Sequence, residues 1–309
     1  MIKDENKVLL EQLEHVKEVV CSLDKKKLLD DSVYNWSVWT DESIHQQDPL
    51  VAMQDYYREI LEKMNLSAVS LLIRTIEWTK GFFDAIEADN WLTAAASLRG
   101  AMESAGDARI SLKKCIGFLF EEKTHIEEWL LCDGSNMPKK LYAYEEMENL
   151  LNEFIFANRK QDNARRGEPY LPEAKKNKDY IESLGEIDGP EGINTYKLYY
   201  AQLCELTHPS GIPIRKMYNQ KDGTIRKNDQ YSMFGMAELV QWASVMSQRV
   251  FINPINLSLG LMRILAVMNV NPHNKIHKGI DLTAIFENNA VLKQALVVFG
   301  KENINRAGL

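Results

Sequence analysis

Apolar residues recur along most of this chain at the three- and four-residue spacing that is typical of amphipathic helices. Near the N-terminus, six aliphatic residues follow this spacing and predict a first helix: Leu9, Leu10, Leu13, Val16, Val19 and Val20. The stretch DDSVYNWSVWTDESIHQQDP then holds turn formers and aromatics and predicts an irregular connector. We therefore expect residues 1–48 to form an N-terminal helix and an aromatic-rich connector.

The same spacing predicts a helical bundle over residues 49–309. Its expected helices cover residues 51–64, 67–88, 91–114, 115–132, 138–160, 193–208, 232–251, 254–269 and 281–299. Asn65 is placed to cap the second of these helices. Asn253-Pro254 is expected to divide the first two of the C-terminal helices, which together occupy residues 232–299.

Two stretches interrupt the helical pattern. Residues 161–192 are polar and contain three prolines, which predicts a long, mobile excursion held only by Tyr170, Leu171 and Tyr180. In the second stretch, two short runs flank the turn signal Lys221-Asp222-Gly223. The pattern as a whole predicts an all-α, multi-helix bundle with one small β-hairpin insertion near 212–228.

The composition is that of a soluble globular protein, with 309 residues of which 45% are hydrophobic and 26% charged. The first residues lack the basic and apolar regions of a signal peptide. The longest apolar stretch, Leu257 to Val270, is interrupted by Arg263 and is too short to span a bilayer. We therefore expect a cytoplasmic protein with no membrane partner.

Cysteines and charge narrow the function classes further. The four cysteines lie far apart without a CxxC motif, which favours reduced thiols over a disulfide framework or a structural zinc site. The net charge of −7 argues against broad, nonspecific nucleic-acid binding. Two basic segments, 157–180 and 212–230, are compatible with a local RNA-binding patch, but solvated loops rich in lysine are the favoured explanation.

Arg99 and Glu103, in the stretch LRGAMESAGDA, are four residues apart and project from one face of their predicted helix. Small and apolar residues lie along the same line, which indicates close packing against another helix. Charged groups removed from water need partners, so the pair is expected to reach a polar group across that interface. A simple intrahelical salt bridge on a solvated face is the alternative.

His208 lies at the end of a predicted helix, directly before Pro209. Pro209 disfavours helical backbone at the preceding residue and therefore ends the helix there. Tyr200 and Cys204 precede His208 at four-residue spacing, and this aromatic and apolar face predicts that His208 points inward. Buried polar groups are rarely left unpaired, so we expect the side chains of His208, Arg99 and Glu103 to converge.

A di-metal site is an alternative explanation of the same histidine. EKTH and ELTH, which end at His125 and His208, both have the ExxH spacing of helical di-iron proteins. Glu87 and Glu153 would have to supply the remaining carboxylates, and His208 lies at a helix end rather than in mid-bundle. No nucleotide-binding or serine-hydrolase motif occurs. The prediction is therefore that the chain holds no metal and no cofactor.

Two runs together resemble a known set of helical prokaryotic proteins: IEWTKGFFDAIEADNWLTAAASLRGAMESAGDA and, about 100 residues later, YYAQLCELTHPSG. In that set an L-R-x-x-x-E helix is paired with a later H-P-S segment. The set is similar to the HEPN (higher eukaryote and prokaryote nucleotide-binding) superfamily. The resemblance covers residues 65–211, so it implies a HEPN-like core there, in a homodimer.

Many HEPN proteins are metal-independent ribonucleases of toxin and antiphage systems, marked by an R-x4-6-H motif on one helix. No arginine stands at the matching positions before His208, so Arg99 would supply the guanidinium from another helix. In a ribonuclease His208 would be the general acid or base, Arg99 would stabilise the transition state, and Glu103 would orient either. The residues that would bind the substrate are Tyr200, Ser210, Arg215, Lys216 and Arg226.

The missing arginine favours a second hypothesis, in which the protein is a non-catalytic interaction or sensor module of a prokaryotic defence or toxin–antitoxin type system. In that case Arg99, Glu103 and His208 form a polar cluster that sets the register of their helices. RNA and another protein are the two candidate partners.

Overall fold

The computed structural model describes residues 2–23, 48–138, 142–156, 177–208, 218–219, 224–225, 228–270 and 282–306. Within these ranges the helices are α1 (Ile2–Ser22), α2 (Pro49–Glu87), α3 (Trp91–Leu130), α4 (Glu145–Phe156), α5 (Asn177–Gly185), α6 (Gly189–Thr207), α7 (Asn228–Ser247), α8 (Asn253–Val267), α9 (Leu282–Asn288) and α10 (Lys301–Arg306). A 3-10 turn, Glu186–Asp188, joins α5 to α6, and π-helical segments cover Gln248–Ile252 and Leu296–Gly300.

The predicted all-α fold class is confirmed. Two strands of two residues each, β1 (Tyr218–Asn219) and β2 (Thr224–Ile225), pair antiparallel. Most of the stretch for which a β-hairpin is predicted lies outside the described residues, so a hairpin over 212–228 stays a prediction.

The first correction concerns two long helices. Asn65 was expected to begin a helix but lies inside α2, where its side chain is only 1% exposed. Leu61, Met64 and Ala68 around it are buried. Burial of this apolar face outweighs the few tenths of a kcal/mol by which asparagine disfavours a helix interior. The expected helices 91–114 and 115–132 are likewise one continuous helix, α3, because no breaking residue separates them.

The second correction concerns the predicted mobile excursion, residues 161–192. Its first part, up to residue 176, lies outside the described residues, but residues 177–192 are helical. Ile181 and Leu184 of α5 are each only 1% exposed, so this part is packed and not held by Tyr180 alone. Pro190 does not interrupt the helical path, because it occupies the first turn of α6, where a missing N–H group costs nothing.

The third correction concerns Asn253-Pro254, where a helix break was predicted. The helical path instead continues from α7 through the π-helical segment into α8. The backbone N–H of Asn253 donates to the carbonyl of Gln248, five residues earlier. Pro254 has no N–H to donate, and its ring would clash with a carbonyl one turn earlier. A wider π-helical turn directly before the proline accommodates both effects.

The continuous helical path from α7 to α8 bears on the expectation that the protein has no membrane partner, because it forms one long apolar segment. Gly235–Val267 is long and apolar enough to cross a bilayer, with a mean hydropathy of 1.6 over its most apolar 18 residues. Of this 18-residue window, 78% is buried within the protein, and a buried core helix of a soluble protein meets the same criteria. The finding is weak evidence in either direction, and the absence of a membrane partner stays a prediction.

The chain divides into two compact units. The first comprises Met1–Lys25, Leu71–Ile110 and Lys176–Ile255, and the second comprises Lys26–Ser70, Ser111–Lys175 and Asn256–Leu309. The long helices α2 and α3 therefore contribute to both units. The sequence-based division at residue 48 follows a different criterion and stays a prediction, as does a HEPN-like core at 65–211.

Each unit has its own buried aromatic residues. In the first unit, the fully buried rings of Phe82 and Phe251 lie 5.9 Å apart. In the second unit, Tyr57 and Trp129 are each 1% exposed, and their ring centroids are 6.2 Å apart. Large buried aromatics contribute strongly to stability because each removes 150–250 Å² from water.

Thiol labelling of the folded protein is expected to separate two cysteines. Cys115 is fully buried, and burial raises the pKa of its thiol to about 12, whereas Cys21 is exposed. Because the thiolate is the reactive form, a thiol reagent should modify Cys21 rapidly and Cys115 only after unfolding. Mass spectrometry of the labelled peptides measures this, with Cys21→Ser as the control that removes the rapid phase. Rapid modification of Cys115 in the folded protein would contradict its burial.

Candidate functional site

Two helices of the first unit, α3 and α6, carry the predicted site. Arg99 and Glu103 lie one turn apart on α3, Tyr200 lies on α6, and His208 follows directly after α6. One turn after Glu103, α3 packs closely onto α5, because Gly106 of α3 lies against the backbone of Tyr180. This close approach holds α3 beside the α5–α6 pair.

Arg99 is the centre of the cluster. Its Nε donates to Glu103 Oε1 over 3.2 Å, and its Nη1 lies 3.3 Å from Thr207 Oγ1 and 3.4 Å from His208 Nε2. The guanidinium carbon also lies 5.6 Å from the centroid of the Tyr200 ring, within the range of a cation–π contact. The predicted convergence of Arg99, Glu103 and His208 is therefore confirmed.

Glu103 receives two donors on the same oxygen. Besides Arg99, the hydroxyl of Tyr200 donates to Glu103 Oε1 over 2.6 Å. The Arg99 and Glu103 side chains are 25% and 28% exposed, so this pair is neither sealed in the core nor a freely solvated surface pair. Tyr200 was predicted to bind the substrate, but in this arrangement its hydroxyl proton is directed at Glu103.

The expectation that His208 points inward is wrong, because its side chain is exposed. The helix ends at Thr207, and His208 adopts an extended backbone with φ −89° and ψ 154°. Pro209 accounts for this conformation, since it disfavours helical backbone at the residue before it. The four-residue relation to Cys204 holds only inside a helix, so the His208 side chain leaves the apolar face. Its backbone N–H still donates to the carbonyl of Cys204 over 2.9 Å and caps the helix.

The chemistry of Arg99 defines the direction of its hydrogen bond with His208. A guanidinium only donates hydrogen bonds, so His208 Nε2 is the acceptor in this contact. In this arrangement the Nε2 lone pair is directed at Arg99 and is occupied.

The charge of Arg99 is secure in this environment. Partial burial works to lower the pKa of Arg99, but Tyr200, Cys204 and Glu103 outweigh that effect and the pKa is raised. Arginine is a cation at any physiological pH. The cluster therefore pairs one fixed cation with one carboxylate and leaves little net charge for an anionic ligand.

Thr207 is the member of the cluster that sequence reasoning missed. Its hydroxyl donates to the carbonyl of Leu203 over 2.9 Å, which directs the oxygen lone pairs toward Arg99. Its place next to His208 on the last helical turn was the only signal in the sequence. The other predicted substrate-binding residues, Ser210, Arg215, Lys216 and Arg226, lie outside the described residues.

The residues considered for a di-metal site are engaged elsewhere. Glu122 accepts a hydrogen bond from Tyr144, His125 lies 3.2 Å from the hydroxyl of Tyr57, and Glu87 is paired with Lys17. Across the described ranges, no group of three or more histidine, cysteine, aspartate and glutamate side chains is placed to hold a metal ion.

Comparison of the chain with protein-family models, curated proteins and solved structures finds no match. The resemblance to HEPN proteins therefore stays a prediction that depends on the two sequence motifs alone.

Proposed function

We propose that this chain is a HEPN-like helical protein of a prokaryotic defence or toxin–antitoxin type system, in which it acts as a non-catalytic interaction or sensor module. The observation that carries the proposal is the hydrogen bond from Arg99 Nη1 to His208 Nε2. A general base needs a free lone pair, and this one is occupied by a guanidinium. The polar groups of the cluster satisfy one another instead of facing a substrate.

The cluster suits a structural role at the edge of an interaction surface. The contact of Arg99 with Thr207 joins α3 to the last turn of α6, and Glu103 holds the guanidinium in place, so the cluster sets where the chain leaves α6. The segment that follows contains Arg215, Lys216 and Arg226. The predicted β-hairpin over 212–228 belongs to this proposal, as the element that presents these basic residues to RNA or to an acidic protein partner. We also place the protein in the cytoplasm, without a membrane partner, as a homodimer.

A metal-independent ribonuclease is the second candidate, and the exposure of His208 favours it. An exposed histidine beside a fixed guanidinium provides a proton-transfer group and a cation for the transition state. In this candidate the Arg99–His208 hydrogen bond would have to open so that the imidazole could reach a 2′-hydroxyl. Glu103 would then keep Arg99 in place.

RNA cleavage in the presence of a chelator separates the two candidates. We expect neither the wild type nor His208→Ala to cut RNA, because the Nε2 lone pair of His208 is already occupied by Arg99. Because His208 is exposed, the substitution should change the melting temperature by no more than about 2 °C. Gel analysis of an unstructured RNA and thermal melts of both proteins measure these outcomes.

Cleavage by the wild type that is lost in His208→Ala, at an unchanged melting temperature, would show that the ribonuclease candidate is correct. His15→Ala is the control for His208→Ala in the cleavage assay, because His15 lies on α1, outside the cluster.

Light scattering on the purified protein tests the homodimer separately. A monomer would contradict that part of the proposal.

A further inference from the structure

The second unit contains a groove that the function proposed above does not use. It has a volume of about 500 Å³ and lies between one face of α3 and the first turns of α4 with the two residues that precede them. Gly117 and Phe118 of α3 line one side, and Tyr144, Met147 and Leu150 line the other. A cavity of this size is within the range of small-molecule sites.

Two aromatic rings form a corner of the groove. Phe118 and Tyr144 meet at 90°, with their ring centroids 4.6 Å apart. Tyr144 is held in place because its hydroxyl donates to Glu122 Oε2 over 2.7 Å and its backbone N–H donates to the Tyr56 hydroxyl over 2.9 Å. Burial and the bond to Glu122 raise the pKa of Tyr144, so the phenol stays neutral. The faces of such rings attract cations.

The groove has a marked excess of negative charge. Among the residues that the structure describes, four glutamates line it, Glu121, Glu122, Glu145 and Glu146, against one lysine, Lys114. Lys114 lies 3.8 Å from Glu146, whose side chain is 95% exposed, so this ion pair is solvated and weak. The carboxylates are distributed along both sides, and the structure shows no metal-binding group of three among the residues it describes.

Gly117 leaves the groove open. An added Cβ at this position would meet nothing within 4 Å, although glycine in a helix interior costs about 1 kcal/mol relative to alanine. No neighbouring group therefore requires a glycine here. The space in front of Gly117 is continuous with the aromatic corner.

We propose that this groove binds a linear polyamine. Carboxylates on both sides of the groove match several ammonium groups spaced along one chain. The apolar surfaces of Phe118, Met147 and Leu150 match the methylene segments between those groups. A single quaternary ammonium group would use the aromatic corner and leave most of the carboxylates unpaired. A divalent metal would need its carboxylates gathered at one point.

Isothermal titration with spermidine at low, constant ionic strength tests the proposal. The wild type should bind one spermidine, and Glu121→Gln combined with Glu145→Gln should raise the Kd at least about tenfold. Gly117→Leu should cause a similar loss, because its side chain would enter the groove while the helix gains a better helix former. The matched control is Glu128→Gln with Glu302→Gln, which removes the same charge at exposed positions outside the groove and should leave the Kd unchanged.

Three outcomes would overturn the proposal. Equal weakening by the control pair would show that only the overall negative charge attracts spermidine. Displacement of spermidine by an equal concentration of Mg²⁺, beyond the effect of ionic strength, would show a general cation site. Tighter binding of a short lysine peptide than of spermidine would assign the groove to a protein partner instead of a free polyamine. Circular dichroism of each variant confirms that it is folded.

Discussion

Gly106→Ala is expected to lower the free energy of unfolding by about 3 kcal/mol, the upper part of the range for an overpacked site. Gly106 lies where α3 meets α5, and a Cβ there would be 2.6 Å from the carbonyl carbon of Tyr180. The obstacle is backbone and not the flexible end of a side chain, so the helices themselves would have to move apart. Urea unfolding followed by circular dichroism measures the loss.

Gly117→Ala is the matched control for Gly106→Ala. Both glycines lie in the interior of α3, but a Cβ at Gly117 meets nothing within 4 Å. Replacing Gly117 should therefore raise the free energy of unfolding by about 0.5–1 kcal/mol through helix propensity alone. The difference in sign between the two variants isolates the effect of the close helix contact. Equal stabilisation by both would show that α3 and α5 do not approach as described.

The separation of α3 and α5 should also change the candidate site. Arg99 and Glu103 precede Gly106 on α3, and α6, which carries Tyr200, follows directly after α5. Moving α3 outward would lengthen the contacts of Arg99 with Thr207 and His208. Any function of the cluster should therefore be reduced in Gly106→Ala and kept in Gly117→Ala.

Arg263→Met should destabilise the protein by about 3 kcal/mol, through the loss of two charge-assisted hydrogen bonds in a buried site. Arg263 of α8 is only 3% exposed, and its guanidinium donates to the carbonyls of Ile304 and Asn305. These carbonyls end α10 and have no partners within that helix. A cation at a helix C-terminus also interacts favourably with the helix dipole.

The loss of stability in Arg263→Met should be largest at α10, where hydrogen exchange of the backbone amides measures it directly. Arg306→Met is the control, because Arg306 is 77% exposed and pairs with Glu302 on its own helix. Arg306→Met should destabilise the protein far less than Arg263→Met. Unchanged exchange in α10 of Arg263→Met would contradict the role of Arg263 as its C-terminal anchor.

Helical spacing was sufficient to predict the fold class, because apolar faces alone indicate which segments can pack as helices. Local sequence signals also predicted the structure correctly where one residue strongly restrains its neighbours. Pro209 ended α6 as predicted, since a proline restrains the residue before it whatever surrounds the chain. The pairing of Arg99 with Glu103 followed from their four-residue spacing on one helix.

Weaker local signals were overruled by packing. The preference of Asn65 for a helix start is worth about 1 kcal/mol, less than the burial of the apolar residues beside it in α2. The same competition brought residues 177–192 into helices. Instead of the helix break expected at Asn253-Pro254, a π-helical segment directly before these residues keeps the helical path continuous.

The sequence alone therefore determined the helical class, the end of α6 and the convergence of Arg99, Glu103 and His208. Only the tertiary structure decided that His208 is exposed, that Arg99 occupies its Nε2, and that Thr207 belongs to the cluster. The groove of the second unit also depends on tertiary structure, because Phe118 and Tyr144 come from different segments. The physical reason is the same throughout. Spacing along a helix defines a face, but the partner of that face is set by contacts between residues distant in sequence.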